Sequence, residues 1–293
     1  MVVKNGQPVL GVGYAAAGTA ASVPIEVRRF PATPVLAGPV SRQPVRPDFH
    51  VVGLVTGGSG RHEIDFRPAR LAAGAVFWVR PGQVHHVVDH AGLHGVLLLF
   101  TGDVLVPGTT VAAFADSAAR AAQAAQASQW RADPRDALTR IGIEHLEVLL
   151  ARGPDRRDAA DALRLALAPL VGAAPRVAAG PHGPPEVFTR FAAAVEAGYA
   201  RHHHVLDYVP EVHASARTID RAVRQVTGGS AKRFLDDRIA LEARRRLTTS
   251  DTTVAALSQR LGFVDASNFV KFYRRMTGRT PGADTAPPLT SDG

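Results

Sequence analysis

Two groups of basic and amide side chains near the carboxyl end have the chemistry to bind nucleic acid. Arg217, Arg221 and Arg224 recur at i, i+4 and i+7 opposite an apolar stripe, so a helix would present them on one face. Arginine and lysine can hold phosphate or read guanine, and asparagine can read adenine. A second group begins 50 residues later and comprises Ser267, Asn268, Lys271, Arg274 and Arg275. These eight residues are the predicted DNA contacts; the alternative for the arginine stripe is a solvated face on an ordinary surface helix.

The two groups lie in related segments, residues 206–228 and 254–278. Val209, Val212, Ser215, Ile219, Val223 and Gly228 take the positions of Ser258, Leu261, Val264, Phe269, Tyr273 and Gly278. The offset is 49 residues before the turn and 50 after it, so the second turn is one residue longer. Each segment is expected to form a short helix, a tight turn and a second helix, with Ser215 capping the second helix of the first segment. A duplicated helix-turn-helix can place two helices in two stretches of DNA major groove.

Pro210 makes the first of these units the less regular one. Proline lacks an amide hydrogen and disturbs a helix unless it falls within the first turn. We therefore expect the second unit to have the more regular geometry. Between the units, residues 232–247 are predicted to form one long helix that packs Leu235 and Ile239 inward and carries Arg244–Arg246 as added charge.

Composition favours an anionic partner and excludes several kinds of chemistry. The 293 residues carry a formal net charge of +8 at pH 7 and a pI of about 10.6, which favours DNA or an acidic surface as partner. The chain has no cysteine, which excludes disulfides, thiol catalysis and cysteine-ligated metal sites. No apolar run reaches the length of a membrane span and no signal pattern opens the chain, so we expect a cytoplasmic protein with no membrane partner.

The remainder of the chain divides by character, and the fold class expected is α+β with two domains. Residues 23–107 read as short apolar strands separated by glycine-rich turns, which is typical of a small sandwich or barrel. Residues 111–172 favour accessory helices, which completes a first domain at 23–175. Residues 176–185 are the predicted linker and 186–281 the predicted all-helical DNA-binding domain. Residues 1–22 and 282–293 are expected to be flexible.

One segment resembles a known family specifically. Residues 241–281 carry Leu261-Gly262-Phe263, Ser267-Asn268-Phe269, the aromatic pair Phe272-Tyr273, and Thr277-Gly278 with Pro281. In order and spacing these residues resemble the carboxyl-terminal signature of the AraC/XylS family of bacterial transcription regulators. With the first repeat included, the resemblance covers about 100 residues. It implies a double helix-turn-helix domain, preceded by a cupin-like barrel that binds a small molecule or dimerises.

The amino-terminal half supports the cupin-like barrel and argues against a metal in it. Residues 74, 81, 82 and 85 (Gly, Pro, Gly, His) resemble the second half of a cupin motif. A cupin metal site needs about three histidines and a carboxylate, and only Asp48 and His50 have the spacing of the first motif. His85 and His86 are adjacent and would point to opposite faces of a strand. We therefore predict a cavity without metal or other cofactor, for which the lining candidates are His50, Phe77, Arg80 and His85. Ordinary barrel packing or a surface position is the alternative for each of the four.

These features together predict a DNA-binding transcriptional regulator, not an enzyme, controlled by a small-molecule effector in the barrel. Its expected partners are double-stranded DNA, the effector, a second copy of the chain, and RNA polymerase if it is an activator. The helices of residues 138–149 and 163–170 are the predicted dimer contact or inter-domain relay. Two alternatives stay open: a constitutive regulator whose barrel only dimerises, and a metal-dependent cupin enzyme fused to a DNA-binding domain.

Overall fold

The computed structural model of the chain describes residues 10–14, 23–30, 44–89, 92–116, 128–174, 185–249 and 252–285. The described residues fall into two compact units, the first within residues 10–174 and the second within residues 185–285. Residues 175–184, which contain nearly all of the predicted linker, lie outside the described ranges. Each unit is described by itself below.

The first unit contains two five-stranded sheets. Sheet A has the order β1-β3-β8-β5-β6, and sheet B has the order β10-β7-β4-β9-β2. Except for the parallel pair β1–β3, neighbouring strands are antiparallel. The strands are β1 (Leu10–Val12), β2 (Ile25–Phe30), β3 (Val45–Pro47), β4 (His50–Gly57), β5 (Ser59–Ile64), β6 (Arg67–Ala72), β7 (Ala75–Val79), β8 (His85–Asp89), β9 (His94–Phe100) and β10 (Gln129–Arg131).

Sheet B is buried on both faces. The period of two along its strands decides which side chains face sheet A and which face the helices. On one face Val51, Val55, Phe77, Leu97 and Leu99 pack with Ile64, Leu71 and Val87 of sheet A. On the other face Val52, Leu54, Val76, Trp78 and Leu98 pack with helices. Successive strand side chains point to opposite faces, so these near-continuous apolar runs serve two separate cores. The first unit is therefore a three-layer structure of sheet A, sheet B and helices.

The helical layer consists of α1 (Thr110–Asp116), α2 (Ala137–Ala151) and α3 (Arg156–Gly172). Asp136 and Asp155 accept backbone N–H bonds from Thr139 and Asp158 and so start α2 and α3. Leu146, Leu163 and Leu167 are fully buried against sheet B. The predicted helices of residues 138–149 and 163–170 are thus present. Of the predicted helical stretch 111–128, residues 117–127 lie outside the described ranges.

The expected barrel is a pair of facing sheets, the arrangement of a double-sheet jelly roll, which is the cupin architecture. Gly58 alone forms the turn from β4 into β5. It has a φ of +78° and passes so close to the carbonyl of Gly92 that a Cβ would lie 1.9 Å from its oxygen. The sheets also extend beyond the predicted range 23–107, because β10 pairs with the edge of β7 and β1 pairs with β3.

The second unit is helical throughout its described residues. Its helices are α4 (Glu186–Gly198), α5 (Val209–Val212), α6 (Ala216–Thr227), α7 (Ala231–Thr249), α8 (Val254–Arg260), α9 (Ala266–Thr277) and α10 (Pro281–Asp284), with a 3-10 turn at Val205–Tyr208. We define α5–α6 as the first helix-turn-helix unit and α8–α9 as the second. The long helix α7 connects them, as the sequence predicted.

Two segments expected to be flexible are ordered in part. Leu10–Val12 is a strand, although residues 1–22 carried no steady hydrophobic period. Pro281–Asp284 is a helical turn, although the flexible tail was expected from residue 282. Asp284 is buried and accepts a 2.6 Å hydrogen bond from the Tyr273 hydroxyl, a tertiary contact that local composition does not reveal. No helix within the described ranges is long and apolar enough to span a membrane.

Candidate nucleic-acid interface

Helix α6 is defined at both ends by its own sequence. The Ser215 hydroxyl accepts the Thr218 N–H at 3.2 Å, which caps the helix as predicted. At the other end Gly228 has a φ of +75° and donates its N–H to the Arg224 carbonyl at 2.9 Å. Between these caps Ile219 and Val223 are fully buried, so the helix rests on one apolar face.

Helix α9 repeats this construction with different residues. Asp265 accepts the Asn268 N–H at 2.7 Å, and Gly278, with a φ of +74°, closes the helix onto Arg274. Phe269 and Tyr273 are fully buried and take the places of Ile219 and Val223, 50 residues earlier. The caps obey the same offset, so Ser215 corresponds to Asp265. The sequence alignment that paired Ser215 with Val264 is therefore corrected by one residue.

The first helices of the two helix-turn-helix units differ in length. The first unit is the less regular one, as predicted from Pro210. Helix α5 has four residues, with Pro210 in its first turn, and follows a 3-10 turn. Helix α8 has seven residues and is capped by Thr253. Because Pro210 lies in the first turn, where an amide hydrogen has no helical partner, α5 accommodates it, and the helix ends at the left-handed residue His213. Tyr208 and Val212 on either side of it remain buried.

Helix α7 packs against the core of each helix-turn-helix unit. Leu235 and Ile239 in its first half pack with Ile219 and Val223 of the first helix-turn-helix unit. Ala243 and Leu247 in its second half pack with the core of the second helix-turn-helix unit, which is formed by Leu257, Leu261, Phe269 and Tyr273. A continuous helix of 19 residues therefore sets the separation of α6 from α9.

All eight predicted DNA contacts are exposed on α6 and α9. They are Arg217, Arg221, Arg224, Ser267, Asn268, Lys271, Arg274 and Arg275. Helical geometry of 3.6 residues per turn puts six of them opposite the buried side chains, in three equivalent pairs. These pairs are Arg217 with Ser267, Arg221 with Lys271, and Arg224 with Arg274. The two helices thus present the same three positions, with four of the six side chains guanidinium and one ammonium.

Three of the eight side chains are engaged by neighbouring polar groups. The Nε of Arg224 donates to Asp220 at 2.7 Å, and the other oxygen of Asp220 accepts the Ala231 N–H that starts α7. Arg275 donates to the buried Asp236 at 3.3 Å. The side-chain amide of Asn268 donates to its own cap Asp265 at 2.9 Å.

Arg275 and Asn268 consequently lie at the side of the α9 face. The Arg275 guanidinium is also 5.5 Å from the centre of the Phe272 ring. Lys232, one turn from Asp236, pairs with the same carboxylate, so Asp236 ties α7 to α9. Sequence reasoning missed this carboxylate because it is 39 residues from Arg275 and carries no local pattern.

The arginines of α7 are held by a buried carboxylate. Glu242, whose side chain is 5% exposed, pairs with Arg238, Arg245 and Arg246 at 3.3, 3.7 and 2.8 Å. Burial alone would raise the pKa of Glu242, but these arginines hold it below its ordinary value. Arg238 also donates to Glu196 of α4 at 2.7 Å. The single negative charge of Glu242 offsets part of the positive charge of Arg238, Arg245 and Arg246, so α7 keeps a net positive charge along this run.

The three consecutive histidines serve the fold and share no common site. His203 hydrogen-bonds the Leu261 carbonyl at 2.7 Å, in the turn of the second helix-turn-helix unit. The His202 ring lies edge-on to Tyr208. His204 begins the 3-10 turn, where its N–H donates to Asp207. The three histidines therefore stabilise the loop and the 3-10 turn that precede the first helix-turn-helix unit.

In the first unit, the four cavity candidates divide between the helical side of sheet B and the interior between the two sheets. His50 and Arg80 face the helices. Trp78 donates its indole N–H to His50 at 3.0 Å, and Phe100 stacks on the same imidazole at 4.9 Å. The Arg80 guanidinium lies 5.5 Å from the Trp78 ring and 5.3 Å from Phe114. Because the pleat alternates, His50 and Arg80 cannot line one cavity with Phe77.

Phe77 and His85 face the interior between the sheets, where His62 joins them. The imidazoles of His62 and His85 are 3.1 Å apart, Nε2 to Nδ1. Gln129 of β10 bonds the other nitrogen of His62 at 3.1 Å, and Phe77 lies edge-on to His62 at 4.6 Å. This group, His62, His85, Gln129 and Phe77, is the inter-sheet polar cluster. Sequence reasoning missed His62, although its alternation with Ile64 in β5 marked it as inward-facing.

Burial keeps these histidines neutral. It lowers the pKa of His85 to about 4, with the neighbouring His86 adding to the effect. Burial also lowers the pKa of His62, and with Arg80 nearby it lowers that of His50 to about 3. A neutral imidazole pair offers hydrogen-bond donors and acceptors inside an apolar core. Within the ranges described, no three histidine, aspartate or glutamate side chains converge as a metal site would require.

Sequence comparisons match each of the two compact units to a protein family. The profile of the "Helix-turn-helix domain" family matches residues 208–285, and that of the "AraC-like ligand binding domain" matches residues 40–108. The two matches together span half of the chain. The chain belongs to the AraC/XylS family. The first match contains both helix-turn-helix units from Tyr208 onward, and the second contains strands β3–β9.

Individual members of the AraC/XylS family are similar over shorter or more divergent stretches. The HTH-type transcriptional activator RhaS of Pectobacterium carotovorum subsp. carotovorum (strain PC1) is 35% identical over 65 residues, 22% of this chain and 23% of RhaS. The chain thus matches less than a quarter of its curated relative. The DNA-binding domain of AdpA, solved in complex with a target DNA, is 30% identical over 33% of this chain and 87% of that chain, with a TM-score of 0.31. ToxT from Vibrio cholerae O395 is 7% identical over 89% of this chain and 96% of that chain, with a TM-score of 0.41.

Proposed function

We propose that the chain is a sequence-specific DNA-binding regulator of transcription that docks α6 and α9 in the major groove. The observation that carries this proposal is the pair of 12-residue helices with equivalent caps and equivalent exposed positions at an offset of 50. In a helix-turn-helix the second helix enters the major groove and its amino-terminal residues contact base edges. Arg217 and Ser267 lie at that end of the two helices, with Arg221 and Lys271 one turn further.

The charge of this face supports contact with DNA. Arg217, Arg221, Lys271 and Arg274 are exposed and form no ion pair within the described part of the chain. Arg224 donates its Nε–H to Asp220, so its terminal nitrogens are the donors that remain for a phosphate. We therefore assign direct base or phosphate contact first to Arg221 and Lys271, at the centre of each face.

The experiment is fluorescence anisotropy of the full-length chain on DNA from upstream of its own coding region and of neighbouring genes. A shuffled fragment and two salt concentrations serve as controls. Tight binding that the shuffled fragment lacks, with a steep salt dependence, would support a sequence-specific regulator. Equal weak binding to every fragment, with and without candidate effectors, would contradict the proposal.

Arg221→Ala and Lys271→Ala test the two faces separately. If the residue reads a base, discrimination at one base pair should fall by about 1–3 kcal/mol. If it holds phosphate, binding should weaken evenly across sequences, with a shallower salt slope. Arg157→Ala removes the same charge from an exposed site of the first unit and is the matched control. Wild-type affinity in both helix variants would refute docking by these faces.

We further propose that the first unit binds a small-molecule effector, with the inter-sheet polar cluster supplying the hydrogen bonds. An effector regulates only through a difference in its affinity for two arrangements of the protein. It should therefore raise the unfolding temperature of the first unit and change DNA affinity by a reciprocal factor. A first unit that no candidate small molecule stabilises would favour the constitutive alternative, in which the barrel only dimerises. Bound iron, manganese, zinc or nickel, together with turnover, would favour the enzyme.

Helix α2 is the proposed contact for a second copy of the chain. Leu138, Ile141 and Val148 are 69%, 53% and 53% exposed and follow one stripe of α2, and Leu165 of α3 is 50% exposed. With His145 between them, these positions recur as a and d of a heptad, the seam of a two-helix contact. Ile141→Glu should convert a dimer to a monomer in sedimentation velocity, while Arg140→Glu beside the stripe should not. A wild-type monomer at all concentrations would refute this assignment.

The other partners follow from the regulatory role. An activator would also contact RNA polymerase, and the protein would act in the cytoplasm, where bacterial DNA is found. We propose no enzymatic activity. The transcriptional activator RhaS is 35% identical to this chain over 65 residues, so an activating role is the first to test by transcription in vitro.

A further inference from the structure

The turns of the two helix-turn-helix units differ by one residue, and the structure shows which one it is. His213 and Gly262 adopt the left-handed conformation at an offset of 49, with φ of +50° and +75°. The caps Ser215 and Asp265 follow at an offset of 50. The extra residue therefore lies between Gly262 and Asp265.

That residue is Val264. In the first turn only Ala214 stands between the left-handed residue and the cap, and it packs against the core. In the second turn Phe263 packs against the same core, so Phe263 is the counterpart of Ala214. Val264 has no counterpart, and at 94% it is the most exposed large apolar side chain in the described ranges.

The turn holds Val264 outward by rigid contacts on both sides. A Cβ at Gly262 would lie 2.4 Å from the Ala200 carbonyl oxygen, so the segment that follows α4 packs directly on the turn. His203 bonds the Leu261 carbonyl at 2.7 Å, and its ring lies 4.7 Å from that of Phe263. Phe263 packs inward, and Asp265, the residue after Val264, caps α9. The exposure of Val264 thus follows from the contacts that hold the backbone of this turn in place.

The position of Val264 suggests a role for this exposed side chain in contacting DNA. Val264 directly precedes the cap of α9, at the end of a recognition helix that meets base edges. The C5-methyl of thymine is the apolar group on the major-groove edge and is read by apolar contact. We propose that Val264 reads a thymine methyl in the half-site of the second helix-turn-helix unit, a contact that the first helix-turn-helix unit lacks. This inference rests on the proposed function.

The test removes the methyl from the DNA and the side chain from the protein. The full-length chain first selects its preferred sequence from a random duplex library. Each thymine of that sequence is then replaced singly by deoxyuridine, and anisotropy compares wild type with Val264→Ala and Val264→Ser. Burying one methyl group changes affinity about fourfold, so wild type should lose about fourfold at one thymine. Val264→Ala should bind the thymine and deoxyuridine duplexes equally at that position.

The controls separate this inference from the proposed function. Val106→Ala makes the same truncation at an exposed site of the first unit and should keep the full response to deoxyuridine. Circular dichroism should find Val264→Ala folded, because the side chain contacts no core. The inference is overturned if wild type and Val264→Ala respond equally to deoxyuridine at every thymine, or if neither responds. Sequence-specific binding would stand in both cases. Failure of the library selection to enrich any sequence would instead overturn the proposed function and this inference with it.

Discussion

The buried histidines should make the first unit sensitive to acid. His62 and His85 share a hydrogen bond between the sheets, and His50 accepts one from Trp78 on the helical side. Burial lowers the pKa of His85 to about 4 and that of His50 to about 3. In the unfolded chain the same imidazoles titrate near their ordinary value of about 6.5.

The sign and size of the effect follow from these values. Above pH 6.5 both states are neutral at these sites, and the histidines add no pH dependence. As the pH falls from 6.5 toward 4, the unfolded chain takes up protons that the folded unit does not, so the free energy of unfolding falls. For His85 alone the loss at pH 5 relative to pH 7.5 is about 2 kcal/mol, and each such histidine contributes a slope of about 1.4 kcal/mol per pH unit. A domain of ordinary stability, about 5–15 kcal/mol, would lose a large part of it.

Tryptophan fluorescence isolates this unit in the intact chain. Both tryptophans of the sequence, Trp78 and Trp130, are buried in the first unit. Urea unfolding followed at their emission between pH 5 and 7.5 gives the free energy of unfolding at each pH. His85→Asn should flatten the slope by about 1 kcal/mol per pH unit, and His94→Asn at an exposed site should leave it unchanged. Parallel pH curves for wild type and His85→Asn, or a first unit more stable at pH 5 than at pH 7.5, would refute the reasoning.

Two further predictions concern packing. Phe269→Ala should unfold the second helix-turn-helix unit, because it removes a fully buried ring at a cost of about 3–5 kcal/mol; a cooperative calorimetric transition at the wild-type temperature would mean that the faces of α9 are reversed. Gly53→Ala should destabilise the first unit by about 1–3 kcal/mol, because the new Cβ would lie 2.1 Å from Cζ of the Phe77 ring. Phe77→Leu in the same chain should restore part of the loss in urea unfolding by tryptophan fluorescence, and an unchanged midpoint for Gly53→Ala alone would count against the packing described.

The sequence by itself determined the local elements of the second unit. Helix caps and helix faces depend on residues three and four apart, and these are visible in a string. Ser215, the apolar stripe of α6 and the exposure of Lys271 followed from such spacings. The offset between the two turns was visible too, but assigning the extra residue required the caps, because the side chain of Asp265 and not that of Val264 closes α9.

Only the tertiary structure decided which polar groups meet. Asp236 binds Arg275 across 39 residues, and Gln129 reaches His62 across 67. No local period encodes such distances, because they depend on how strands and helices pack. The four cavity candidates were separated for the same reason: alternation gives each residue a face of its strand, while the packing of sheet A and the helices decides which face is the inter-sheet interior.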